Sequence, residues 1–213
     1  MIHDENCDVQ PLLNAVEARI LGSLIEKQMA TPDYYPLTQN ALLAACNQKT
    51  NRMPIMNLSA QQVGTALAAL RQKGLVTARF VARTDRFEQH LSRKLGLSRK
   101  EQALLAAMLL RGPQTLAELR IQAERLVEID SIDEMNELLG VLIARDEPLA
   151  LRLPRGPGQR EDRYVHLLCG MPEHAQNDDA PDQSEYTDRL SLLEERVAKL
   201  EAALARLSGE HEN

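Results

Sequence analysis

Six helix starts, arranged as two sets of three, constrain this chain more than any other feature. A Ser, Thr, Asp or Asn followed three residues later by Glu or Gln lets the two side chains satisfy orphan backbone N–H groups reciprocally. Five such boxes precede apolar patterns: Asn14/Glu17, Ser59/Gln62, Ser98/Glu101, Thr115/Glu118 and Ser131/Glu134. Thr38 opens a sixth helix, with Ala41 where the reciprocal acid would stand. Asn14, Thr38 and Ser59 match Ser98, Thr115 and Ser131 in order, with longer connections in the first set. The chain is therefore read as one unit written twice.

Each third helix carries apolar residues at i, i+3, i+4 and i+7, which places them on one core face. They are Val63, Ala66, Leu67 and Leu70 in the first copy, and Met135, Leu138, Leu139 and Leu142 in the second. A pair of short β-prone runs follows each helix, "LVTARFVA" with "RFEQHL" and then "LALRLP" with "RYVHLL". Three helices and a hairpin, repeated, predict a mainly α protein with small β-hairpins (α+β), built as tandem winged helix-turn-helix domains. The expected boundaries are an acidic tail at 1–10, winged-helix domains at 11–93 and 94–171, an acidic linker at 172–185 and a coiled-coil helix at 186–208. In that last helix Leu190, Leu193, Val197, Leu200, Leu204 and Leu207 alternate spacings of three and four, a seam suited to self-association. A homo-oligomer is expected.

Composition narrows the class. The chain is 44% hydrophobic but only 3% aromatic, so its cores must be built from aliphatic side chains. No apolar run is long enough to span a bilayer, and the start "MIHDENCDVQ" is acidic where a signal peptide would be basic, so a cytoplasmic protein without membrane contact is expected. Cys7, Cys46 and Cys169 lie far apart, which argues against a disulfide framework or a zinc knuckle. The formal charge of −6 hides an asymmetry: residues 11–93 hold ten Lys and Arg against five Asp and Glu, whereas residues 171–213 hold four against eleven. A phosphate-binding surface is expected in the first copy.

The stretch "EKQMATPDYYPLTQNALLAACNQKTNRMP", Glu26 to Pro54, resembles the YceH-like family of bacterial proteins, whose biochemical role is not established. The later "RGPQTLAELR", Arg111 to Arg120, is similar to that family's second signature. The resemblance spans most of residues 11–207 and implies two winged-helix domains in tandem, with no demonstrated activity. The first hairpin departs from the family's Lys-Tyr-x-His by reading "TDRFEQH", and Asp85 weakens a phosphate role there.

In a helix-turn-helix the third helix and the loop before it face the major groove, where Asn and Gln read base edges and Lys and Arg grip phosphate. Candidate contacts to duplex DNA are therefore Asn47, Gln48, Lys49, Asn51 and Arg52 in the loop, Gln61 and Thr65 on the helix, and Arg71 and Lys73 at its end. The competing reading makes this loop a structural turn, its polar side chains bonding to local backbone. In the second copy Asp133, Glu134 and Glu137 stand where phosphate would approach, so that face suits a protein partner, and an adaptor that binds only protein is the alternative function. Arg152, Arg155, Arg160 and Arg163 make its hairpin basic.

Tyr34 and Tyr35 are expected to pack onto their own domain, and Cys46, four residues after Leu42, to be a buried small hydrophobe. His166 and Cys169 point to opposite faces of a strand, which argues against a metal site. No nucleophile, phosphate-cradling or metalloprotease motif occurs, so no catalytic residue, cofactor or metal is assigned, and an enzyme is not expected.

Overall fold

The computed structural model describes residues 12–172 apart from Ala82 and Pro157. The acidic tail, most of the linker and the heptad residues Leu190, Leu193, Val197, Leu200, Leu204 and Leu207 lie outside the described residues.

The capping chemistry builds the helices. Helix α1 (Ala15–Ala30) opens on a reciprocal box between Asn14 and Glu17. A two-residue strand β1 (Leu37–Thr38) runs into α2 (Gln39–Cys46), where the Thr38 hydroxyl accepts from Ala41 N. Helix α3 (Ala60–Gln72) starts on the Ser59/Gln62 box. Strands β2 (Val76–Val81) and β3 (Thr84–Gln89) then form a hairpin. After a single helical turn, α4 (Leu91–Lys94), the order repeats. It runs through α5 (Arg99–Arg111), β4 (Gln114–Thr115), α6 (Leu116–Ala123), α7 (Ile132–Ile143), β5 (Ala150–Leu153) and β6 (Arg163–His166). The fold is α+β and mainly helical.

Ser98/Glu101 and Thr115/Glu118 close boxes as expected. Ser131 caps α7, but Glu134 does not reciprocate. Its carboxylate instead accepts from Asp130 N and pairs with Lys100, a partner 34 residues away. One oxygen thus takes the Asp130 N–H instead of the Ser131 N–H, and the other takes a salt bridge from α5.

Each copy closes a three-stranded antiparallel sheet in the order β1-β3-β2 and β4-β6-β5. The hairpins fall where the β-prone runs stand. The edge strands β1 and β4, two residues each, are too short to show a period in the sequence. Leu37 pairs with Phe87, and Gln114 with Tyr164, so each edge strand ties the start of its second helix to the sheet.

The two copies share one core. Residues Glu17 to Ile25 of α1 are all buried, as are Ala103 to Leu110 of α5, a pattern expected of helices enclosed on all sides. These two helices pack together, and one continuous apolar cluster runs from Leu13 to Leu168. Gly22 sits at their closest approach: a Cβ there would meet Leu109 Cβ and the Leu110 side chain at 3.0 Å. Leu13 N also donates to Leu168 O at 2.9 Å, joining the start of the first copy to the end of the second. No helix among the described residues is long and apolar enough to cross a membrane.

Candidate nucleic-acid interface

Helix α3 turns Val63, Ala66, Leu67 and Leu70 into the core, as its periodicity requires. Gln61, Thr65 and Ala68 are thereby exposed, and so is Arg71 in the last turn. The helix contains no Asp or Glu. It is braced from α2, where Gln39 Nε2 donates to Ala60 O at 2.8 Å. The hairpin beside it carries an apolar tip, Phe80 being 76% exposed, together with Arg83 in the left-handed region at φ 65°. Arg79 is taken up by Glu88, and Arg86 donates to Pro36 O.

The loop before α3 is a different kind of structure from the one its composition suggests. Arg52 is the clearest correction: its side chain is 0% exposed and cannot meet a phosphate. Its guanidinium grips both Glu26 carboxylate oxygens, at 3.1 and 2.6 Å, and donates to Ala45 O and Asn51 O. Asn47 is likewise occupied, its amide bonding Leu58 N and Leu58 O at 2.8 Å each. Asn51, at φ 62°, turns its side-chain oxygen toward Arg111 and Arg125 of the second copy. Asn tolerates that conformation better than other side chains do. Met53 N donates to Leu110 O at 2.9 Å. Lys73 is also committed, to the buried Glu17 carboxylate at 2.7 Å and to Leu12 O at 2.8 Å. Of the nine candidate DNA contacts, Lys49, Gln61, Thr65 and Arg71 are exposed and have no hydrogen-bond or ion-pair partner among the described residues, while Gln48 is half-buried along a cleft.

Sequence reasoning missed the residue that holds this loop from below. Arg19, 1% exposed on α1, donates to Cys46 O at 3.1 Å and to Pro54 O at 2.7 Å. Burial lowers its pKa, and the neighbouring Arg52 charge adds to that. A lone Arg within the apolar run "ARILGSLI" was the available signal, because a charge there must find buried acceptors. Cys46 is buried as expected, and burial raises its thiol pKa.

The second copy presents a different face. Asp133 and Glu137 are exposed on α7, whereas Glu134 is half-buried and bound to Lys100. In its hairpin Arg152 is paired with Asp162, and Arg163 reaches Glu118 at 3.3 Å. Arg155 and Arg160 are exposed. His166 is buried, with Nδ1 lacking a hydrogen-bond partner, and burial pushes its pKa down to about 4. Tyr35 packs inward and accepts from Gln89 N through its hydroxyl at 2.7 Å, but Tyr34 is 75% exposed, contrary to expectation, because the turn Pro32–Tyr34 directs it outward.

A tandem α+β unit with a shared core and an outward, carboxylate-free third helix is thus the class defined by fold and surface. The chain belongs to the family described as "Protein of unknown function, DUF480", whose profile matches residues 13–159. It is similar to bacterial proteins named UPF0502. One from Mesorhizobium japonicum is 48% identical over 204 residues, covering 93% of this chain and 98% of its own length. Another from Cellvibrio japonicus is 43% identical over 210 residues, covering 93% and 95%. A third, from Stenotrophomonas maltophilia, is 46% identical over 210 residues, with the same coverage as the second.

Proposed function

We propose that each copy is a winged helix and that the first binds duplex DNA, with α3 in the major groove and the β2–β3 hairpin on the backbone, as a non-enzymatic cytoplasmic transcriptional or nucleoid-associated factor. The observation that carries this reading is the outer face of α3. Gln61 and Thr65 are exposed on a helix with no carboxylate, and Arg71 stands at its end. Gln and Thr at such positions bond to base edges, while Arg neutralises phosphate. Helix α7 is the counter-example within the same chain, since Asp133 and Glu137 would repel a backbone. The heptad pattern of the tail supports pairing of two copies, which would add their weak contacts together.

Fluorescence anisotropy of a labelled duplex across a salt series tests this. Binding should weaken with salt, with a slope of about −0.9 per neutralised phosphate. The Arg71→Ala, Arg83→Ala double variant should shallow that slope, whereas Asp133→Ala should leave it unchanged. A duplex that stays unbound at low salt would remove the DNA reading. The adaptor reading would then lead, supported by α7, where exposed Ile132 and Val141 share a helix with Asp133 and Glu137, a mixed apolar and acidic surface suited to a basic protein partner.

A further inference from the structure

Between the two copies lies a cleft of about 440 Å³, apart from the α3 face and the β2–β3 hairpin assigned to DNA. Its walls come from Glu26 and Lys27 on α1, from Lys49 and Asn51 in the loop before α3, and from Arg125 in the turn after α6. At its inner end Arg111 lines a smaller adjoining pocket that also includes Glu26, Asn51 and Arg125.

The charges in this cleft do not balance. Lys27, Lys49 and Arg125 line the cleft and Arg111 lines its neighbour, with Glu26 the one carboxylate in either lining, and that carboxylate is already gripped by Arg52 at 2.6 Å and approached by Lys27 at 3.7 Å. Arg111 and Arg125 form no ion pair among the described residues. Both instead donate to one neutral oxygen, Asn51 Oδ1, the Arg125 bond measuring 2.7 Å. Two guanidinium groups aimed at the same point repel each other, and an amide oxygen offsets that repulsion far less than an anion does. Burial lowers the Arg111 pKa first, and the Arg125 and Arg52 charges add to that, while Glu26 and Glu118 act in the opposite direction. Two guanidinium groups converging on one point can each donate a charge-assisted bond to an oxyanion placed there.

We propose that this cleft binds a small phosphorylated molecule, its phosphate oxygens replacing Asn51 Oδ1 between Arg111 and Arg125 while Lys49 neutralises the outer charge. The site is a cleft lined by both copies and lies apart from the exposed face of α3 that a duplex would meet, so a free ligand fits it better than the backbone of a duplex. Because loop and second copy meet through Asn51, occupancy would also report to the connection that leads into α3. Occupancy of this cleft does not require that α3 bind DNA.

Isothermal titration of the full chain with pyrophosphate tests it, alongside Arg125→Ala and the control Arg120→Ala. Arg125 is exposed, so its removal should leave the fold intact; Arg120 lies on α6 beside it but is paired with Glu124. Saturable binding should weaken roughly tenfold or more in Arg125→Ala and within about twofold in Arg120→Ala, since the loss is of a charge-assisted bond rather than of net charge. Duplex affinity, measured in parallel, should be the same in Arg125→Ala as in the wild type. No binding of pyrophosphate, or equal weakening in both variants, would overturn the proposal. So would an Arg125→Ala variant that loses duplex but not pyrophosphate, because the cleft would then serve nucleic-acid phosphates.

Discussion

Replacing Arg52 by Ala should damage the fold rather than the surface. The guanidinium is fully buried and makes four hydrogen bonds, two to Glu26, one to Ala45 O and one to Asn51 O. Removing one partner of a buried ion pair costs ~3–5 kcal/mol, chiefly because the other charge is left uncompensated. The lower end applies here: the Glu26 side chain is 17% exposed and Lys27 lies 3.7 Å away, so water and a neighbouring cation recover part of the loss. We expect about 3 kcal/mol in urea unfolding followed by circular dichroism, set against changes within about 0.5 kcal/mol for the exposed Lys49→Ala. In the cycle with Glu26→Gln, the double variant should be less destabilised than the sum of the single ones by about 1–3 kcal/mol. An Arg52→Ala loss below about 1 kcal/mol, the range of exposed pairs, would refute the assignment of this residue to a buried ion pair.

Two other substitutions probe the same shared core. His166 is buried neutral with its pKa pushed down to about 4, so as pH falls below the ordinary His value the unfolded chain takes up a proton that the folded chain refuses. Stability is therefore lost between those two values, by about 2 kcal/mol at about pH 5 relative to about pH 8, and His166→Leu should remove that part of the pH dependence in paired urea titrations. An unchanged pH profile in the variant would contradict the burial argument. Gly22→Ala should destabilise by about 1 kcal/mol net, because overpacking against Leu109 and Leu110 outweighs the gain in helix propensity. A more stable Gly22→Ala protein would show that α1 and α5 are not in close contact at that point.

Features specified within a few residues were legible in the sequence. The boxes at Asn14, Ser59, Ser98 and Thr115 pair side chains with backbone three residues away, a geometry that the helix itself supplies. The inward faces of α3 and α7 followed from a 3.6-residue period, except that Leu138 is only half-buried. The loop from Asn47 to Pro54 was not legible, because its side chains are committed to residues far along the chain. Arg52 meets Glu26 at a separation of 26 residues, Arg19 meets Pro54 at 35, and Asn51 meets Arg111 and Arg125 at 60 and 74. Exposed basic residues and buried ones look alike in composition, and what separates Arg52 from Lys49 is its set of folded-state partners, Glu26 on α1 and the carbonyl of Ala45. Glu134 likewise has a distant partner, Lys100, that its box did not announce, while its other oxygen accepts from Asp130 N.

Hydrogen exchange of the full chain, with and without a short duplex at low salt, tests most directly whether the first copy meets DNA through α3. Slowed exchange confined to residues 60–72 and 76–89, with residues 132–143 unchanged, is the predicted result. Exchange unaltered by the duplex, or protection centred on α7, would contradict it.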